Sequence, residues 1–245
     1  TITNKIVIPS GDITFNNATI TFGDALSQAA TVNLATYPGA AATYVYTGTG
    51  STTYGPSATA PVNAGTYSVM ATVQNDTHKG TKSATLTINR KTLDPAAIAA
   101  IPDQTYTGSA LTPALTVTDG AITLVLDTDY TAAYSSNTNA GPAAVTVTGI
   151  GNYTGTAVAA FTILPKDISG AAITAGDETY VGIAYTPAYT VKDGDTTLVL
   201  NTDYTHTNYA NNTNAGTADI NIAGTGNYTG TAVGHFTINK ADYNM

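Results

Sequence analysis

The chain has 245 residues, with 16 acidic against 8 basic side chains, a net charge of −8 and no cysteine. This balance argues against binding to DNA or RNA, whose phosphates need clustered Lys and Arg, and the lack of cysteine excludes disulfides, thiolate metal sites and cysteine nucleophiles. Charged residues make up only 10% of the chain, while Thr, Val, Ile and Tyr suit a pleated, half-buried surface, so the composition predicts an all-β protein. No apolar stretch approaches the ~18 residues of a membrane-spanning helix.

The first predicted domain covers residues 1–90. Its second half contains two alternating stretches, residues 63–73 (NAGTYSVMATV) and residues 76–88 (DTHKGTKSATLTI). Alternation with a period of two indicates strands with one face in a core and one in water. Both stretches have counterparts later in the chain, but the front half of this domain is longer, which indicates a related subtype.

Two close copies follow, over residues 91–165 and 166–240. The segment that begins at Asp103 returns at Asp177, a spacing of 74, and the spacing becomes 75 after the Tyr134/Tyr209 region. A single residue is therefore inserted in the later copy near Tyr209. We expect it in a turn or a β-bulge, where a change of length is tolerated.

Each copy predicts the same set of short strands. Val145 and Val147, like Ile220 and Ile222, alternate with polar residues, and the closing strands read Phe-Thr-Ile. Asp-Gly pairs at 119–120 and 193–194 predict hairpins, and the glycine-rich residues 149–155 and 224–230 predict connections between antiparallel strands. About 75 residues with these strands fit a small immunoglobulin-like sandwich. The prediction is thus all-β, with three tandem immunoglobulin-like domains in an elongated rod of about 100 Å.

The joints between the copies are short. Each closing strand is followed within three residues by a lysine, in LTINRK, FTILPK and FTINK. Residues 1–5 (TITNK) resemble the end of a preceding repeat, and residues 241–245, after Lys240, resemble the start of a following one. The segment is therefore predicted to be a piece of a longer array; the alternative is that both ends are free termini that happen to resemble joints.

These motifs carry a family resemblance. The recurring Asn-Ala-Gly, Gly-x-Gly-Asn-Tyr-Thr-Gly and Phe-Thr-Ile strings resemble immunoglobulin-like repeats of bacterial surface and secreted proteins. The first repeat, with Tyr54-Gly55 and NAGTYSVMATV…TLTI, is similar to the MBG-type domains of bacterial adhesins. The resemblance implies export, a position at the bacterial cell surface and a role as a stalk or adhesive repeat, and it brings no catalytic residues.

Few residues are candidates for chemistry. His78, His206 and His235 fall at non-equivalent places, and no nucleophile elbow, HExxH or phosphate loop occurs, so we expect neither an enzyme nor a bound cofactor. Calcium is the metal alternative, because Asp and Asn oxygens in loops suit it. Its candidate ligands are Asp127, Asp129, Asp193 and Asp195, although turn chemistry explains them as well. Non-recurring tyrosines, Tyr185 and Tyr189, are the candidates for a ligand patch.

Three functions are compatible with these features. The first is a non-catalytic stalk or spacer of a bacterial cell-surface adhesin or fibre, whose partners are neighbouring repeats of the same chain. The second is a module that binds a carbohydrate or a host surface protein through exposed Tyr, Asn and Thr. The third is an accessory region of a large secreted enzyme. All three place the chain outside the cell, and fold resemblance alone does not choose between them.

Overall fold

The computed structural model describes residues 4–241. In the first repeat the strands are β1 (Ile6–Val7), β2 (Ile13–Thr14), β3 (Ala18–Thr21), β4 (Thr31–Val32), β5 (Ala41–Gly48), β6 (Gly65–Gln74) and β7 (His78–Asn89). Tails 1–3 and 242–245, which bear most of the resemblance to neighbouring joints, lie outside the described residues.

The second repeat contributes β8 (Lys91–Thr92), β9 (Gln104–Thr105), β10 (Thr118–Asp119), β11 (Ile122–Thr123), β12 (Tyr130–Ser135), β13 (Gly141–Gly149), β14 (Tyr153–Thr154) and β15 (Thr156–Leu164). The third contributes β16 (Lys166–Asp167), β17 (Ala172–Ala175), β18 (Glu178–Thr179), β19 (Tyr189–Asp193), β20 (Thr196–Thr197), β21 (Tyr204–Ala210), β22 (Gly216–Gly224), β23 (Tyr228–Thr229) and β24 (Thr231–Asn239). Over residues 4–241 the helical elements are two 3₁₀ turns, Ser10–Asp12 and Pro95–Ala97. The predicted all-β class is confirmed.

The chain forms two compact units. The first comprises residues through Ile98, Thr116–Ala132 and Thr146–Ala157, and the second comprises Ala99–Leu115, Ala133–Val145 and the residues from Val158 onward. Residues of the second repeat thus contribute to both units. The predicted division into three domains at residues 90 and 165 stays a prediction.

The first unit contains a five-stranded sheet in the order β1-β7-β6-β5, with β3 also paired to β7. β6 is antiparallel to β5 and β7, whereas β1 and β3 run parallel to β7. Alternate residues of β6 are buried, namely Tyr67, Val69, Ala71 and Val73. They join Ile8, Phe15 and Leu86 in one core, as the alternating sequence predicts.

The second unit contains a seven-stranded sheet in the order β20-β19-β17-β24-β22-β21, with β18 paired to β24. Ile220 and Phe236 share a core with Val191 of β19 and with Ile168. Distant strands of the sheet therefore face one another across a single core, as in an immunoglobulin-like sandwich. Ile222 and Ile238 are also buried there, as the alternation predicts.

Both Asp-Gly hairpins are present. Asp119 pairs with Ile122 and Asp193 with Thr196 in antiparallel ladders, and the glycine of each turn, Gly120 or Gly194, has a positive φ near 60° (59° and 58°). Such a conformation favours glycine because it has no Cβ. The residue inserted in the later copy lies at a β-bulge within β21, where the register shifts between His206 and Asn208.

Candidate functional site

The glycine-rich connections have more structure than a simple link between antiparallel strands. Tyr153–Thr154 forms β14, which runs parallel to β8 at the start of the same repeat. The Lys91 amide donates to the carbonyl of Asn152 at 2.9 Å. The third repeat repeats this arrangement, because the Lys166 amide donates to the Asn227 carbonyl at 2.9 Å. Each Gly-Asn-Tyr turn is therefore hydrogen-bonded to the first strand of its own repeat.

A glycine fixes the course of each turn. Gly151 and Gly226 have φ values of 61° and 62°. A Cβ at either position would lie 2.7 Å from a backbone oxygen, that of Thr128 or Thr202. Any other residue would be strained and would clash. The asparagine that follows is thus presented in the same way in both repeats.

The side chains of these two asparagines reach the preceding repeat. Asn152 Oδ1 accepts from the Ala64 amide at 2.8 Å, and Asn152 Nδ2 donates to Asn63 Oδ1 at 3.0 Å. A carboxamide can do both because it carries an acceptor oxygen and two N–H donors. The Asn-Ala-Gly motif that receives it lies 88 residues earlier in the chain.

The same pair of bonds recurs at the next joint. Asn227 Oδ1 accepts from the Ala140 amide at 2.8 Å, and Asn227 Nδ2 donates to Asn139 Oδ1 at 3.2 Å. We call this arrangement, an asparagine of a Gly-Asn-Tyr turn bound to the Asn-Ala of the preceding repeat, the asparagine clasp. Its recurrence shows that the two joints are built to one plan.

The tyrosine next to each clasp is buried and packs against an aromatic ring. The Tyr153 ring meets Phe22 at 5.5 Å between centroids and 73° between planes, and Tyr228 meets Tyr106 at 5.6 Å and 75°. Edge-to-face pairs of this kind add about 0.5–1.5 kcal/mol beyond their area burial. Each joint therefore combines a polar clasp with an aromatic contact.

A carboxylate and a lysine hold each of these tyrosines. Tyr153 donates to Asp119 at 3.2 Å, and Lys91 Nζ lies 2.7 Å from the same carboxylate. Burial, and next the charge of Asp119, raise the pKa of Tyr153 to about 12. In the third repeat Tyr228 donates to Asp193 at 3.2 Å. Burial and the Asp193 charge likewise raise its pKa to about 12.

Of the four residues predicted as candidate calcium ligands, one forms an ion pair and the others lie in turns. Asp193 pairs with Lys166 at 2.5 Å, and Asp195 is exposed within the hairpin turn, directly after Gly194. Asp129 accepts from the Val125 amide at 2.9 Å, and Asp127 adopts a positive φ of 62°. Within residues 4–241 no three His, Asp or Glu side chains lie close enough to hold a metal ion.

The two candidate ligand tyrosines are half-buried in the third repeat. Tyr185 donates its hydroxyl to the Thr179 carbonyl. Tyr189 lies against His206, with 5.8 Å between ring centroids and 3.1 Å between its hydroxyl and Nδ1. His206 also meets Tyr209 at 4.5 Å. We call Tyr189, His206 and Tyr209 the aromatic cluster; burial, and next the neighbouring Tyr204, raise the pKa of Tyr189 to about 12.

Asn152 and Asn227 were not predicted as functional residues. They stand in strings that read as turns, and a turn is indeed where they lie. The available signal was the recurrence, one repeat apart, of both the Gly-Asn-Tyr and the Asn-Ala-Gly motifs. Nothing in that recurrence indicates that the first motif of one repeat binds the second motif of its predecessor.

Residues 12–92 match the family model of the MBG domain, so the resemblance of the first repeat is confirmed. No curated protein matches the chain. Among solved structures, the I-band fragment I67-I69 from titin is 10% identical with a TM-score of 0.29, and the alignment covers 94% of this chain and 98% of that one.

Two further solved structures give lower scores. SGBP-B of the Bacteroides ovatus mixed-linkage glucan utilization locus, in complex with a mixed-linkage heptasaccharide, is 15% identical, with a TM-score of 0.22 and coverage of 92% of this chain and 66% of that one. Protocadherin gammaB7 EC3-6 is 9% identical, with a TM-score of 0.24 and coverage of 92% and 73%. No helix among residues 4–241 has the length and apolarity needed to cross a membrane.

Proposed function

We propose that this chain is a non-catalytic spacer segment of a bacterial cell-surface adhesin or fibre, in which each repeat is held at a set position on its predecessor. The observation that carries the proposal is the asparagine clasp, which occurs with the same partners at both joints. A spacer needs reproducible joints more than it needs a pocket. The MBG-type first repeat supports a location outside the cell.

The hydrogen bonds of the clasp stabilise each joint. At each joint the clasp satisfies one backbone amide and one asparagine oxygen that would otherwise depend on water. A net contribution of about 0.5–1.5 kcal/mol for each hydrogen bond is typical. With the aromatic pair, this is enough to favour one arrangement of the joint over a freely rotating one.

Replacing both asparagines with alanine, in an Asn152→Ala/Asn227→Ala chain, is expected to loosen the joints without unfolding the repeats. We expect faster cleavage by a non-specific protease near residues 89–91 and 164–166, and a loss of about 1–2 kcal/mol per joint in urea unfolding. Small-angle scattering should show a wider distribution of dimensions than the unaltered chain gives.

The matched control is Asn16→Ala, an exposed asparagine outside both joints. It should leave the cleavage rate and the scattering curve unchanged. Identical cleavage rates and scattering curves for the double variant and the unaltered chain would show that the joints do not act as a spacer requires.

A second candidate function is carbohydrate binding at the aromatic cluster. Where the third repeat has Tyr185, Tyr189 and His206, the second repeat has Leu111, Leu115 and Ala132 at the equivalent positions. At this place the two close copies thus differ by three aromatic side chains. Sugars stack on the apolar faces of aromatic rings, and half-buried tyrosines offer such faces together with hydroxyl groups.

On a glycan array, this candidate predicts a signal that Tyr189→Ala weakens about tenfold, the factor expected for one stacking contact. Leu115→Ala, the equivalent change in the second repeat, should leave the signal intact. Because Tyr189 packs on Tyr204, a His206→Ala chain serves as a second variant. An array with no signal above background for the unaltered chain removes this candidate.

A further inference from the structure

A third Asn-Ala-Gly motif lies in the third repeat. Asn214, Ala215 and Gly216 lead into β22 as the earlier copies lead into β6 and β13. At the two joints the Ala and Gly of the motif are half-buried, namely Ala64, Gly65, Ala140 and Gly141. Ala215 and Gly216 are exposed. The third motif thus presents to solvent the groups that the asparagine clasp covers elsewhere.

An aromatic ring accompanies this motif, as at the second joint. The Tyr180 amide donates to the Asn239 carbonyl at 2.8 Å, and the Tyr106 amide donates to the Leu164 carbonyl at 2.9 Å. The two tyrosines therefore occupy the same place in their repeats. Tyr106 covers the core of the following repeat and meets Tyr228. Tyr180 is half-buried on its own repeat.

We propose that Asn214, Ala215, Gly216 and Tyr180, the open face, form a docking surface for the Gly-Asn-Tyr turn of a further repeat of this class. The inference rests on the proposed spacer function and deepens it by naming the chemistry of the partner. The open face offers one amide donor and one carboxamide oxygen, so it selects a side chain that accepts and donates at once. Asparagine does both, whereas aspartate cannot donate and lysine cannot accept.

The first repeat lacks the carboxamide that forms the clasp. The Ile6 amide donates to the Thr77 carbonyl at 2.8 Å, as the Lys91 amide does to that of Asn152. Thr77 and His78 thus stand where the clasp has asparagine and tyrosine. The Thr77 hydroxyl can also donate and accept, but it already lies 3.2 Å from Asn75 Oδ1 and 2.8 Å from His78 Nδ1. All three repeats carry the Asn-Ala-Gly motif that receives a clasp, whereas the second and third carry the Gly-Asn-Tyr turn that supplies its asparagine.

The test is a lengthened chain in which a second copy of residues 166–240 follows Lys240. This keeps two residues between the closing isoleucine and the first paired residue, as at Asn89-Arg90 and Leu164-Pro165. Hydrogen exchange of single amides is then followed by NMR. The Ala215 amide is expected to exchange about tenfold more slowly than in the original chain, the factor for one net hydrogen bond.

Two altered extensions test whether the asparagine carboxamide is required. Asn227→Ala in the appended copy alone should return the Ala215 amide to its original rate. An extension made with residues 6–90 instead should leave that amide unprotected. Protection in either case would overturn the requirement for a carboxamide.

The amides of Ala64 and Ala140 separate the two possible failures. In one case Ala64 and Ala140 are protected and the appended copy is folded, but the exchange rate of Ala215 is unchanged. The open face is then not a docking surface, whereas the proposal for the two joints stands. If Ala64 and Ala140 themselves exchange as free amides, the clasp does not form and both proposals fall.

Discussion

Raising the pH from 10 to 12 is expected to remove about 2 kcal/mol of stability for each of the two joint tyrosines. Tyr153 and Tyr228 titrate near 12 in the folded chain against an ordinary value of 10.0. Their protonated form is therefore favoured by folding. The contribution is complete below pH 10, declines as the unfolded chain ionises, and is lost as the pH passes through 12.

Two measurements check this expectation. Urea unfolding at several pH values gives the decline in free energy, and phenolate absorbance gives the ionisation of the folded chain. Tyr153→Phe and Tyr228→Phe should each flatten the pH dependence, because phenylalanine does not ionise. A free energy of unfolding that stays level from pH 10 to 12 in the unaltered chain would show that these tyrosines are not shielded as described.

Phe236→Ala is expected to cost about 3–5 kcal/mol, a large share of the roughly 5–15 kcal/mol that stabilises a native protein. Phe236 is 3% exposed, and its ring meets Tyr209 edge-on at 6.4 Å. Its removal leaves a cavity in the core shared with Ile220 and Val191.

The control for this substitution lies on the same strand. Val233 of β24 points to solvent and is 52% exposed, so Val233→Ala should stay within about 0.5 kcal/mol. Both values come from urea unfolding monitored by circular dichroism. A loss below about 1 kcal/mol for Phe236→Ala would contradict its place in a packed core.

Strand positions were predictable because local pattern decides them. Val145 and Val147, and Ile220 and Ile222, are buried where alternation places them, and the Asp-Gly pairs form hairpins because glycine adopts a positive φ readily. The parallel pairing of β1 and β3 with β7 was not predictable in this way. Such pairs join segments far apart in sequence, and a strand's own pattern does not name its partner.

The joints also combine motifs that the sequence pattern predicts with a contact that it does not predict. Asn152 and Ala64 are 88 residues apart, and each motif alone has the composition of an ordinary turn. Recurrence identified both motifs as structural. The bond between them depends on how two folded repeats meet, and no single-repeat pattern contains that information.

The clasp also constrains how the protein can be produced. Asn152 and Asn227 both begin an Asn-Tyr-Thr string, the acceptor pattern for N-linked glycans. The atom that would carry a sugar, Nδ2, donates to Asn63 or Asn139 of the preceding repeat. A glycan added during secretion by a glycosylating host would stand where two repeats meet. In a chain made in such a host, the glycans would therefore hold neighbouring repeats apart. A chain made without N-glycosylation would keep the contacts of the clasp.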